Sequence, residues 1–391
     1  MKEFKQELPL PDKPRIGTIL HAYQPPYPVQ TPGIVDRIVN NTYIPVPRAL
    51  LEANIPVTVN INGSLTEILE TDYPEVIEGF NALYDAGCLE FLGCACYHPI
   101  LPMISEKEAK KQIKMNEKIN KRVFGNRYNP TGFFPPELAV SPSLIPLLKE
   151  LGYKYMVMPN TSVYGITSKK PFFRIKGFIG VTRDKETSNK LSFQDYSDEK
   201  AFIKDVTNRQ FYYQSPTVLA MDMETYGEHH ARYHEFLVKC LAKSRPFMVK
   251  DLIEKEKTVT PLSTFKSASW STSIDEAVSH NSFPLWDNPS NALHQLQNLH
   301  LYLVIDLAKK IPEDDLDSDI TKLVSKSQTS CQFWWASSGR FSRDIIIKGI
   351  ELQRKALEAL VKEYPEQQAR TWLDFSDNII ERLKRTLNLV H

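Results

Sequence analysis

Residues 221–230, MDMETYGEHH, concentrate Asp222, Glu224, Glu228, His229 and His230 within a single stretch. Carboxylates this close to imidazoles serve as metal ligands or as proton donors and acceptors. The metal reading has gaps. His230 and His234 stand four apart, as zinc-binding pairs on a helix do, but Ala231 follows the first histidine where a metalloprotease carries Glu. A metal-dependent deacetylase would draw one Asp and two His from neighbouring loops. His21, His98, His229 and Asp222 supply those residue types, so that class stays open as an alternative. The acid–base reading needs a second carboxylate, and Glu137 offers one. It follows Pro135-Pro136, which stiffen the backbone that carries it. Two carboxylates facing one glycosidic bond cleave it, one attacking or shielding the anomeric carbon and the other protonating the leaving oxygen. Asp222 follows the apolar run Val218–Met221. A dry side would raise its pKa, as a general acid requires. Taken singly, Glu137 reads as a solvated loop residue and Asp222 as a helix N-cap; only their convergence gives them a role.

Convergence depends on the elements that carry them. The first two thirds of the chain alternate β-rich runs with helical stretches. Strands are expected over 15–23, 56–63, 88–98, 131–137, 153–159 and 216–224, with further strand-like pieces in FFRIKGFIGVT. Helices are expected between them. One covers 105–125, opened by a capping box at Ser105 and Glu108, and another covers 141–152, with a serine N-cap and proline at its first position. This alternation predicts βαβ units and a parallel sheet, and so many units favour an incomplete or complete β/α barrel over an open sheet. Strand C-terminal ends converge on one face of such a fold. Those ends carry His21 and Gln24, Asn60 and Asn62, Glu90 and His98, Glu137, and Asp222 with Glu224. From about 287 the pattern turns helical without a β signal. The organisation expected is a catalytic barrel over 1–280 and a C-terminal helical bundle over 281–391 packing on it.

Composition narrows the partners. The 391 residues carry 48 Lys and Arg against 47 Asp and Glu, so a nucleic-acid ligand is not expected and a neutral polar substrate fits. No apolar run reaches the ~18 residues of a membrane span. The opening residues MKEFKQELPLPDKPRIG show no apolar core of a leader peptide. Cys88, Cys94, Cys96, Cys240 and Cys331 are odd in number and not spaced as a disulfide framework, so reduced thiols in the cytoplasm are expected. Four of the five tryptophans fall in 267–289 and 331–340. Trp270, flanked by Ser and Thr, is the best candidate for a platform under a sugar ring.

The segments HAYQPP (21–26), GCLEFLGCACYHPILP (87–102), TGFFPPELAVS (131–141) and AMDMETYGEHH (220–230), with SASWSTS and SFPLWDNP, resemble in order the five sequence regions of glycoside hydrolase family 57. The resemblance runs over roughly 15–340. It implies an incomplete (β/α)7 barrel followed by a helical region, and retaining chemistry on α-glucans without a cofactor. Carried over by position, it implies Glu137 as nucleophile and Asp222 as general acid/base. His21, Gln24, Glu90 and His98 would then line the substrate pocket, with Glu224 and Trp270 as further substrate contacts. Both carboxylates are present, which counts against a carbohydrate-binding homologue that has lost turnover, the other alternative kept open. Tyr23 replaces a second histidine of the first region, and Phe133 and Phe134 stand where the third often carries Trp. These departures bear on the choice of sugar more than on the reaction. The chain is also short beside branching and glucanotransferase members, which tilts the expectation toward hydrolysis. Retention predicts the two carboxyls about 5–5.5 Å apart. His229 and His230 are expected at the pocket rim, and His234 as an ordinary helix residue.

Overall fold

The computed structural model describes residues 13–165, 171–255, 259–337, 339–365 and 369–389. The stretch read for a leader lies largely outside them. Strands β1 (Arg15–Ala22), β2 (Val57–Ile61) and β3 (Leu89–Leu92) pair in parallel. Strands β4 (Gly132–Phe133), β5 (Tyr155–Met158), β6 (Phe172–Ile175), β7 (Phe178–Thr182), β8 (Thr217–Asp222), β9 (Arg245–Phe247) and β10 (Thr260–Leu262) complete the set. One sheet runs β3-β2-β1-β8, with β9 on the start of β1; the other runs β10-β6-β7-β5-β4. Among the described strands only β6 and β7 pair antiparallel. Their turn is Lys176-Gly177, both at positive φ (48° and 79°), the two-residue geometry that matches strand twist.

The two sheets meet. Gly93, just past β3, bridges Phe133 in parallel, and its N–H donates to the Gly132 carbonyl at 2.8 Å. Glycine is required here by proximity: a Cβ on Gly132 would stand 2.0 Å from the Tyr155 ring, and one on Gly93 2.2 Å from the Tyr153 hydroxyl. At the far side, the Asp184 N–H, two residues past β7, donates to the Val218 carbonyl of β8 at 2.7 Å. The central strands are buried along nearly their whole length. Parallel strands covered on both faces read as continuous apolar runs, which is why β1, β2 and β5 are rich in Val, Ile, Leu and Met. One apolar cluster collects Ile19, Leu92, Tyr155, Val157, Val181 and Ala220 from different strands, and two more lie between strands and helices.

Several local expectations need correction. The strand expected over 88–98 ends at Leu92, because Gly93 turns the chain toward β4. Ser105 caps its helix, Glu106–Phe124, but the Glu108 carboxylate bonds Gln328 at 2.6 Å instead of returning to the cap, so only half the capping box forms. The helix expected from 141 begins at Leu144, because Val140 is held in a bridge to Ala268 and Ser143 makes no capping bond. Beyond β10 the described residues hold no strand. Helices Ala292–Ala308, Asp319–Ser327, Arg343–Glu363 and Ala369–Leu389 pack on one another.

Candidate active site

Strand β1 carries the centre of the site. Its His21 lies in register between Asn60 of β2 and Asp222, the last residue of β8. Glu137 arrives on the short turn Pro136–Leu138 after β4. Its φ is 58° and that of Leu138 is 46°, left-handed values that cost energy for residues with a Cβ. The turn is held in place from outside. Trp270 donates its indole N–H to Glu137 Oε2 at 2.8 Å and its backbone N–H to the Glu137 carbonyl at 3.0 Å. Glu137, Asp222, Glu224, His21, Trp270 and Arg183 line one cavity of about 780 Å³.

Burial acts on all three carboxyls. It pushes Glu137 up to about 8, with the Asp222 charge adding to the rise and the Trp270 bond opposing it. Burial raises Asp222 and Glu224 as well. The Arg183 charge pulls Asp222 back, whereas the Asp222 charge raises Glu224 further and its bonds to Tyr43 and Gln24 oppose that. The cluster therefore retains protons at neutral pH, as acid catalysis requires.

The histidines form a chain with defined tautomers. The Asn62 amide donates to the Ala95 carbonyl at 2.5 Å, leaving its oxygen to accept from Asn60. The Asn60 oxygen then accepts from His21 Nδ1 at 3.0 Å, which makes His21 Nε2 an acceptor. His98 Nε2 donates to it at 3.0 Å, and His98 Nδ1 accepts from the Ser330 hydroxyl at 2.9 Å. Burial lowers His21 to about 4 and His98 well below its ordinary value, so both rings are neutral. The 3.8 Å approach of His98 to Glu137 is thus a dipolar contact, not an ion pair. Every ring nitrogen of His21 and His98 is thus engaged within the protein. Among the described residues no group of three or more His, Cys, Asp or Glu side chains could hold a metal ion.

The other expected residues divide. Trp270 and Glu224 reach the cavity. β8 ends at Asp222, and the turn Met223–Tyr226 brings Glu224 back to the same face. Gln24 is buried behind it, donating to Glu224 Oε1 at 3.0 Å, and the Tyr43 hydroxyl donates to the same oxygen. Gln24 therefore orients a carboxylate. His98 is fully buried behind His21 and is stacked under the Tyr23 ring at 3.9 Å. Glu90 is a correction. It lies opposite Thr58, deeper along the strands than the ends at Asn60 and Leu92. Its oxygens accept from Tyr155, from Thr58 at 2.8 Å and from the Lys250 N–H at 3.0 Å. Its acceptors are spent on β2, β5 and the start of helix Val249–Lys255, and it is not among the residues lining the cavity. His229 and His230 reach the rim, where His230 Nε2 meets the Ser192 carbonyl at 2.9 Å. His230 precedes the helix that His234 begins, so the two share no helix face.

Arg183, Tyr43 and Ser330 were not expected as site residues. Asn60 was legible as a polar strand end, whereas Ser330 and Trp334 come from the helical region far along the chain, and only the tryptophan pattern hinted at them. Trp334 lines the cavity; Trp286 is fully buried core.

With this geometry the family follows. The family model for glycosyl hydrolase family 57 matches residues 10–266, and the chain belongs to that family. An α-amylase of Pyrococcus horikoshii is 31% identical over 148 residues, 37% of this chain and 23% of that protein. Alpha-amylase 1 of Dictyoglomus thermophilum is 27% identical over 139 residues, 35% of this chain and 20% of that one. The matched part thus spans less than a quarter of either curated relative. Among solved structures, a GH57-type branching enzyme from Pyrococcus horikoshii superposes with a TM-score of 0.73 at 14% identity. The match covers 95% of this chain and 96% of that chain. The α/β fold with its parallel sheet and many helices is that of these neighbours.

Proposed function

We propose that this protein is a retaining glycosidase or transglycosylase acting on α-linked glucans, with Glu137 as nucleophile and Asp222 as general acid/base. The observation that carries the reading is that two carboxyls from separate strand ends, β4 and β8, line one cavity, with Glu137 gripped by Trp270. In the first step the Glu137 carboxylate bonds to the anomeric carbon as the glycosidic C–O bond breaks and Asp222 gives its proton to the leaving oxygen. In the second, Asp222 takes a proton from water or an acceptor hydroxyl, whose oxygen displaces Glu137. Glu224, held by Gln24 and Tyr43, and the ring of Trp270 are the proposed substrate contacts, with His21 fixed in its neutral form beside them.

The architecture proposed is an incomplete (β/α)7 barrel over 1–280 and a helical bundle over 281–391. Support comes from the strand order β8-β1-β2-β3-β4-β5-β7, joined at Gly93–Phe133 and approached at Asp184–Val218. Incubation with maltoheptaose, with products resolved by length, tests the reaction. Products both shorter and longer than the substrate establish transfer, and only shorter ones hydrolysis. E137Q should abolish either pattern, and D222N should slow it by about 10²–10⁴-fold. Unchanged maltoheptaose, α-galactosides and branched glucans would overturn the proposal.

A further inference from the structure

Arg183 follows β7 and is 6% exposed. A buried arginine ordinarily spends its charge in a fork with a carboxylate. This one does not. Among the described residues its only side-chain hydrogen bond goes to the neutral Asn189 Oδ1, at 2.6 Å, and its buried Nε has no partner. Its guanidinium carbon lies 5.4 Å from the centre of the Trp270 ring, the ring whose N–H holds Glu137. The neighbouring Asp184 is engaged as N-cap of Lys185–Ser192 and with Arg209. What remains to balance the buried charge is Asp222, on the wall of the same cavity.

We propose that Arg183, clamped by Asn189 and Trp270, is the fixed counter-charge of Asp222, a positioning residue that lets this carboxyl alternate between giving and taking a proton. The proposal rests on the roles assigned above. Burial alone would hold the Asp222 proton too tightly for the second step, in which it must be a base. The charge of Arg183 opposes that rise, and burial brings Arg183 itself down to about 10, so it stays a cation throughout the working range. Other groups facing Asp222 do not replace it. His21 on β1 is neutral, Glu137 and Glu224 are acidic, Tyr43 and Tyr226 are uncharged phenols raised by burial, and Lys185 is turned to the Thr272 carbonyl at 3.1 Å. His229 is lowered by burial, and His230 is bonded to Ser192.

The test compares kcat/KM against pH for the unchanged protein, R183M and R183K. In R183M the basic limb should move up by about one pH unit, the scale of an opposite charge beside a carboxyl, and kcat should fall more than KM changes. R183K should bring the limb back. A basic limb unmoved in R183M, or R183K behaving as R183M, overturns the proposal. Should R183M fail to fold, N189A keeps the charge but frees it, and a smaller shift in the same direction is expected; an unmoved limb there overturns it equally. Inactivity of the unchanged protein would sink the proposed function and with it the proton-transfer role, leaving the counter-charge between Arg183 and Asp222 to be read without turnover. Carbon-13 NMR titration of the aspartate carboxyls, with D222N identifying the resonance, then reads the same shift without turnover.

Discussion

Glu137 is built to be held still, and the cost is visible in its backbone. A left-handed residue without glycine's freedom persists only where neighbours over-determine it, and here the indole and the backbone of Trp270 do so. Replacing Trp270 by Phe removes a hydrogen bond to a charged group, so kcat/KM should drop about 10-fold or more. Because that bond opposes the rise in the Glu137 pKa, the acidic limb of the pH profile should also move upward in W270F. Steady-state rates across pH check both effects. The limbs belong to the carboxyl cluster as a whole. Productive catalysis needs Glu137 ionised and Asp222 protonated, so the profile should be bell-shaped, with both limbs altered by E224Q. D222N should lower kcat by about 10²–10⁴-fold, and by less on substrates whose leaving group needs no proton.

At the scale of elements, strand ends do the positioning and the deeper residues do the holding. Glu90 separates the two. If it is structural, as its bonds to Thr58, Tyr155 and Lys250 indicate, E90Q should lower Tm while leaving KM for a glucan within about two-fold, since a hydrogen bond lost from buried partners costs ~1–3 kcal/mol. Thermal melts and Michaelis curves on one preparation decide it. The sequence made strand ends legible because apolar runs stop at polar residues, which is how Glu137, Asp222, His21 and Asn60 were found. It could not separate Glu90 from them, because one strand carries both depth levels and only register tells which residue reaches the rim. Arg183 escaped notice for a different reason. It follows a hairpin strand inside an irregular stretch, and an isolated arginine after Val-Thr has no pattern of its own. Gln24 and His98 were found, but not their bonds to Glu224 and His21, because a sequence does not reveal which polar groups spend their bonds on each other.

At the scale of the molecule, the cavity stores a cost. Burial moves the midpoint of Glu137 ionisation from 4.5, its ordinary value, up to about 8 in the folded chain. Between those values the unfolded state binds fewer protons, so this residue lowers stability as pH rises. E137Q should therefore match the unchanged protein in Tm at pH below 4.5 and exceed it progressively up to about 8. The gain should be about 2–4 °C for each kcal/mol recovered. Calorimetry of the two proteins at matched pH values reads this, and a constant offset would contradict it. The helical region also belongs to the site: Ser330 closes the histidine chain, and Trp334 and Arg340 stand on the cavity wall.

The account turns on which carboxyl bonds to sugar. A fluorinated maltosyl fluoride, which forms the glycosyl-enzyme faster than water removes it, followed by digestion and mass spectrometry of the peptides, asks that question directly. The label is predicted on the peptide that contains Glu137, absent in E137Q and retained in E224Q. Label on Asp222 or Glu224, or turnover that inverts the anomeric configuration with no label at all, would contradict the assignment.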